Sequence, residues 1–211
     1  MLQPNLNNIK NNQNKFEKTE EQERIEKRAQ NILNNLGFKS FDELQNKIIL
    51  DIGSGSAEFG LVAKKKGIDI ICSDVGEEYQ KKGIEQGLDY RLINAMNIPL
   101  EDNGLDLVLS HGSVPIIFHK KELVMATLKE VKRVLKKGGE FRFGPIHLVA
   151  SLLNLETLFA PGEEQTLTKK QNSERRRKRS LEVLRSYDPN ITETLLDPDG
   201  IFSKLYYTMK K

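Results

Sequence analysis

The stretch Ile48-Ile-Leu-Asp51-Ile-Gly53-Ser54-Gly55-Ser-Ala57-Glu58-Phe59-Gly60 constrains the fold more than any other part of this chain. Its apolar, β-branched start reads as a short buried strand, the two glycines as a tight turn, and the residues from Ala57 as the opening of a helix. A strand that passes through a glycine turn into a helix is the starting unit of an open α/β sheet. In such sheets ligands settle beyond the carboxyl ends of the strands, near the point where strand order reverses. Without Cβ atoms, Gly53 and Gly55 let the backbone turn sharply and let a ligand come close.

The rest of the chain repeats this alternation. Strand segments are predicted at 47–52, 68–73, 90–93, 105–109 and 140–143. Between them lie a helix over 57–66 stopped by Gly67, a polar helix to about Gln80 broken at Gly83, and a helix with Val124, Leu128, Val131 and Leu135 on one face. Gly138-Gly139 is read as the end of that last helix. Alternating strands and helices imply right-handed crossovers and a parallel sheet. A basic helix over 173–187 then leads to Ile191-Thr-Glu-Thr-Leu-Leu196 and Phe202-Ser-Lys-Leu-Tyr-Tyr-Thr-Met209, joined by Asp-Pro-Asp-Gly, the pattern of an antiparallel hairpin. At the other end, residues 1–14 are rich in Asn and Gln and read as a mobile tail. From Phe16 an amphipathic helix carries Ile25, Ala29, Ile32, Leu33 and Leu36 on one face, and Gly37 ends it. The chain thus divides into a tail and amphipathic helix (1–44) and an α/β domain (45–211).

The glycine turn also says what it holds. A dinucleotide fingerprint requires Gly-x-Gly-x-x-Gly, and the third position here is Glu58. A pyrophosphate at this turn would face Asp51 and Glu58 with no Lys or Arg in the loop, whereas a ligand with a positive end would gain from Asp51. At the end of the second strand, Asp74 is placed to accept from vicinal ribose hydroxyls.

Leu50-Asp51-Ile-Gly53-Ser54-Gly55-Ser-Ala-Glu-Phe-Gly60 resembles motif I of the class I S-adenosylmethionine-dependent methyltransferases. Four further segments resemble the family's motifs in the same order. They are Asp74-Val75 after strand two, Asn94-Ala95-Met96-Asn-Ile-Pro-Leu100 after strand three, Leu105-Asp-Leu-Val-Leu-Ser110 in strand four, and Arg133-Val-Leu-Lys-Lys-Gly-Gly139. The resemblance implies a Rossmann-like three-layer sandwich around a mostly parallel seven-stranded sheet that ends in an antiparallel hairpin. It implies S-adenosylmethionine as cofactor, held by Asp51, Gly53, Ser54, Gly55, Asp74, Val75, Asn94, Ala95, Met96 and Ser110. Val75 would flank the adenine. Asn94 stands where the family usually has Asp, and its amide carbonyl can still accept from the exocyclic amine. Residues 145–172 fall where the family varies its substrate side.

Methyl transfer needs in-line positioning first, and a general base only for a protonated nucleophile. Directly after strand four, His111 is the candidate base; His119 and His147 are weaker ones. Three scattered histidines without close spacing, and the single Cys72, speak against a metal site. The acceptor is expected to be a small molecule. An RNA acceptor, contacted by the basic 169–179 segment, stays open, as does a non-catalytic cofactor-binding module. With 211 residues, 37% apolar and 30% charged, and a net charge of +3, the composition describes a single domain. It has no membrane-length apolar run and no signal-peptide pattern, so a cytoplasmic location is expected.

Overall fold

The computed structural model describes residues 6–114, 121–144, 169–196 and 205–211. In chain order these form α1 (Leu6–Asn35), a short 3-10 turn (Phe41–Leu44), β1 (Ile49–Ile52), α2 (Glu58–Lys65), β2 (Ile70–Asp74), α3 (Glu77–Glu85), β3 (Asp89–Leu92), β4 (Leu105–His111), α4 (Lys121–Val134), β5 (Leu135–Gly144), α5 (Lys169–Tyr187), β6 (Thr192–Leu195) and β7 (Leu205–Lys210). The seven strands make one sheet in the order β3-β2-β1-β4-β5-β7-β6. From β3 to β5 every pairing is parallel, and β7 runs antiparallel to both β5 and β6. This is the doubly wound sheet with a terminal antiparallel pair that the residue pattern predicts. The order reverses between β1 and β4, so the carboxyl ends of β1, β2 and β4 flank the crevice where ligands bind in such sheets.

The alternating faces of the central strands explain the layers. Ile49, Leu107 and Leu109 point to one side, into a cluster completed by Ala29, Leu33 and Leu36 of α1 and by Phe59, Val62 and Ala63 of α2. Leu50, Ile52 and Val108 point to the other, against Val124, Leu128 and Val131 of α4 and Leu184 of α5. Each cluster hides enough apolar surface, at about 25 cal/mol per Å², to hold its helices on the sheet.

Three local expectations are corrected. The first concerns α1, which reaches back to Leu6, so residues 6–14, read as tail, are helical. The second concerns Gly83. It does not break α3 but lies buried inside it, because a Cβ there would run into the ring of Tyr90; the helix ends instead at Gly87, whose φ of +75° closes it. The third concerns Gly138-Gly139, which falls within β5 rather than at the end of α4. Here the strand crowds the carbonyls of Leu105, Asp106 and Lys136, 3.0–3.2 Å from where a Gly139 Cβ would stand. The Asp-Pro-Asp-Gly turn, most of the 145–172 segment, His119 and His147 lie outside the described residues.

Candidate functional site

β1 ends in Asp51-Ile52, and the chain turns at Gly53 (φ +74°) and Gly55 (φ +52°) into α2. The turn is bonded on several sides. The amides of Gly53 and Ser54 both donate to the Ser73 carbonyl at 2.8 Å. The Ser54 hydroxyl donates to the Asp51 carbonyl at 2.9 Å and accepts from the Ser73 amide at 3.1 Å. Gly60, which follows the turn, sits directly over the Cys72 sulfur, so α2 approaches β2 as closely as a third fingerprint glycine would allow. Sequence reading missed that role because it counts positions within the motif, whereas the need for Gly60 comes from β2.

Asp74 closes β2. One carboxylate oxygen accepts from the amides of Val75 (2.7 Å) and Gly76 (3.2 Å), and the other accepts from the amide of Gly55 (3.2 Å). The carboxylate is thereby fixed in orientation and tied to the glycine turn. Asp51, one strand away, is buried. Burial raises its pKa to about 6; a Ser54 hydrogen bond opposes the rise and the nearby Asp74 charge adds to it.

A cavity of about 280 Å³ opens over these strand ends, lined by Ile52, Gly53, Asp74, Val75, Ile93, Asn94, Ala95, Met96, Ser113 and Val114. It therefore brings together Gly53, Asp74, Val75, Asn94, Ala95 and Met96 of the expected cofactor set. Asp51, Ser54 and Gly55 belong to the turn and its strand rather than to the cavity wall. Ser110 is fully buried on β4, and its hydroxyl has no hydrogen-bond partner. Val75 stands 73% exposed at the rim, so its side chain is open to stack against a planar ligand. Asn94 accepts from the Met96 amide through Oδ1 at 3.0 Å, and its own carbonyl accepts from the Asn97 amide at 2.9 Å, which fixes the loop that carries Ala95 and Met96.

Arg133 supports that loop from outside. Its guanidinium donates to the carbonyls of Ile98 and Leu100 and pairs with Glu130 and Asp102. Asp106 has an equally structural task, accepting from the Ile48 amide and from Lys136. His111 is not among the residues that line the cavity, and its Nε2 lies 3.0 Å from the Asn35 amide nitrogen on α1. Burial, with Arg28 adding to it, lowers its pKa. Ser113, which no sequence motif marked, lies against Gly53. Among the described residues no group of three His, Cys, Asp or Glu side chains is placed to hold a metal ion, and no helix is long and apolar enough to cross a membrane.

The sheet order, the glycine turn and the acid that ends β2 define a Rossmann-like α/β domain. Residues 50–143 match the family model described as "Methyltransferase domain". A ubiquinone/menaquinone biosynthesis C-methyltransferase of Stenotrophomonas maltophilia is 29% identical over 105 residues, covering 44% of this chain and 40% of that protein. An uncharacterized protein of Mycobacterium bovis is 31% identical over 97 residues, covering 43% of this chain and 34% of its own length. The chain thus spans well under half the length of the curated relatives it matches. Two solved structures share the fold over most of both chains. One, from Pyrococcus horikoshii, has a TM-score of 0.54 at 18% identity and covers 84% of this chain and 86% of its own. The other, a proposed S-adenosyl-L-methionine-dependent methyltransferase of Methanococcus maripaludis, has a TM-score of 0.53 at 22% identity and covers 87% and 83%.

Proposed function

We propose that this protein binds S-adenosylmethionine in the cavity over β1 and β2 and transfers its methyl group to a small-molecule acceptor. The observation that carries the reading is the placement of Asp74. Its carboxylate offers about four acceptor positions, and three are taken by the amides of Gly55, Val75 and Gly76. The remaining position borders a cavity whose lining includes the apolar side chains of Val75, Ala95 and Met96 as well as the polar Asn94 and Ser113. A fixed carboxylate beside an apolar slot suits a ribose joined to a flat base. The absence of any Lys or Arg between Asp51 and Gly60 disfavours a pyrophosphate at the turn.

Once bound, the cofactor supplies an electrophilic methyl on a sulfonium. The chain's own residues hold and orient it. Asp74 would take a ribose hydroxyl at its remaining acceptor position, and Asn94, Ala95 and Met96 would meet the adenine edge and face. Asp51, ionised above about pH 6, would favour the α-ammonium group. Holding two reactants in line is worth about 7–11 kcal/mol, so such a site can work without a fixed base. His111, at the end of β4, is proposed as the base where one is needed, its Nε2 first leaving the Asn35 side chain. The cavity, at about 280 Å³, falls just below the range for small-molecule sites, which runs from roughly 300 Å³ upward.

A second reading, an RNA acceptor, draws on α5, where Arg175 and Lys178 are exposed while Leu184 anchors the helix in the core. Salt-dependent retention on RNA, lost when residues 175–179 are neutralised, would favour it.

Calorimetric titration with S-adenosylmethionine and S-adenosylhomocysteine tests the main reading, with NADH as negative control. Binding of both adenosyl compounds, weakened by about 1–3 kcal/mol in Asp74→Ala, supports it; binding of NADH alone refutes it.

A further inference from the structure

Gly55 is held from two sides. Its amide donates to Asp74 at the end of β2, and its carbonyl accepts a 2.7 Å hydrogen bond from the hydroxyl of Tyr90 in β3. Tyr90 is only 3% exposed. Its ring rests on α3 at Gly83, where the absence of a Cβ makes room for it. Burial, together with the negative charge of Asp74, raises the pKa of the hydroxyl, so it remains a donor across the physiological range. Phenylalanine would fill the same space, so packing alone does not call for the oxygen. Gly55 has no Cβ contacts of its own to limit it and a φ of +52°, which makes it the freest residue of the turn once its hydrogen bonds are removed.

We infer that Tyr90 is a positioning residue for the cofactor turn: by holding the Gly55 carbonyl, it presets the turn and the Asp74 carboxylate as one surface for the adenosyl ligand. The inference rests on the cofactor reading above. A turn that is already ordered spares the ligand the entropy of ordering it. Gly83 belongs to the same device, because it sets how deep the tyrosine ring can sit and therefore where the hydroxyl ends.

The test compares wild type, Tyr90→Phe, Gly83→Ala and the double variant, with S-adenosylhomocysteine as the probe. Calorimetry reads affinity, and hydrogen exchange of the free protein reads the amides of residues 53–56. Tyr90→Phe is expected to raise the Kd about three- to tenfold, the worth of one neutral hydrogen bond, and to speed exchange in the turn. Gly83→Ala, which displaces the ring but keeps the hydroxyl, weakens binding in the wild type and adds little once the hydroxyl is gone. A purely structural role would lower the melting temperature in both variants and leave Kd and exchange in the turn as in wild type. That result overturns the inference while wild-type binding upholds the cofactor reading. A wild-type protein that does not bind the probe overturns the cofactor reading itself, and this inference with it.

Discussion

The side chain of Ser113 occupies the space that a Cβ on Gly53 would need: its Oγ and Cβ are the atoms such a carbon would meet. The loop after β4 is thus seated on the glycine turn after β1. Gly53 also has a φ of +74°, a conformation that costs other residues roughly 1–2 kcal/mol. Gly53→Ala is therefore expected to destabilise the fold by at least that amount and to push the Ser113 loop off the turn. Thermal melting should show the first effect, and loss of S-adenosylhomocysteine binding in calorimetry the second. Ser113→Gly in the same chain removes the collision and should recover part of the stability, but not the part due to φ.

Asp51 makes binding and stability depend on pH in opposite ways. Burial holds its folded-state pKa up at about 6, against about 3.9 in an unfolded chain. The folded protein then keeps a proton that the unfolded chain loses. Its contribution to stability is fully present below about pH 4 and is lost as pH rises to 6, on the order of 2–3 kcal/mol. A ligand ammonium needs the ionised form, so cofactor affinity should rise with pH through about 6 and binding should release a proton near that pH. Calorimetry in buffers of different ionisation enthalpy measures the release. Asp51→Asn should abolish it, weaken binding and raise the melting temperature at pH 8.

These two residues also show what could be read from the chain. Asp51, Gly53, Gly55 and Asp74 lie within local patterns of strand, turn and helix, and those patterns place them at strand ends. The parallel sheet was legible for the same reason, since strands alternating with helices imply right-handed crossovers. The partners of these residues were not legible. Ser113 reaches Gly53, Tyr90 reaches Gly55 and Cys72 lies under Gly60 through the packing of distant segments. Gly83 and Gly138-Gly139 look like helix breakers in the sequence because a glycine that makes room for a neighbour looks the same there as one that ends a helix.

His111 links the sheet to α1. Its Nε2 meets the Asn35 side chain, and burial lowers its pKa below the ordinary 6.5. Because the unfolded chain binds the proton more readily, the contribution of this histidine is present above about pH 6.5 and is lost as pH falls through its folded value. The packing of α1 should therefore weaken in mild acid, by about 1 kcal/mol if the Asn35 contact is lost. An NMR titration of the imidazole should give a midpoint below 6.5. His111→Ala should flatten this part of the stability profile yet leave S-adenosylhomocysteine affinity unchanged, since the ring does not line the cavity. A large loss of affinity would instead place the ring at the cofactor.

Asn94 has two demands on one amide. Its Oδ1 already accepts from the Met96 amide, and on the proposed reading the same oxygen accepts from the adenine amine through its second lone pair. Asn94→Ala removes both contacts and loosens the loop, so affinity for adenosine and for S-adenosylhomocysteine should fall together, by about 0.5–1.5 kcal/mol for each bond lost. Asn94→Asp keeps the Met96 contact and strengthens both bonds, since charged acceptors form the stronger hydrogen bonds. Its affinity should equal or exceed that of wild type, measured in parallel titrations with the two ligands. If the aspartate variant binds as poorly as the alanine one, the Asn94 amide nitrogen is the group in use, and the adenine is held by donation to a ring nitrogen.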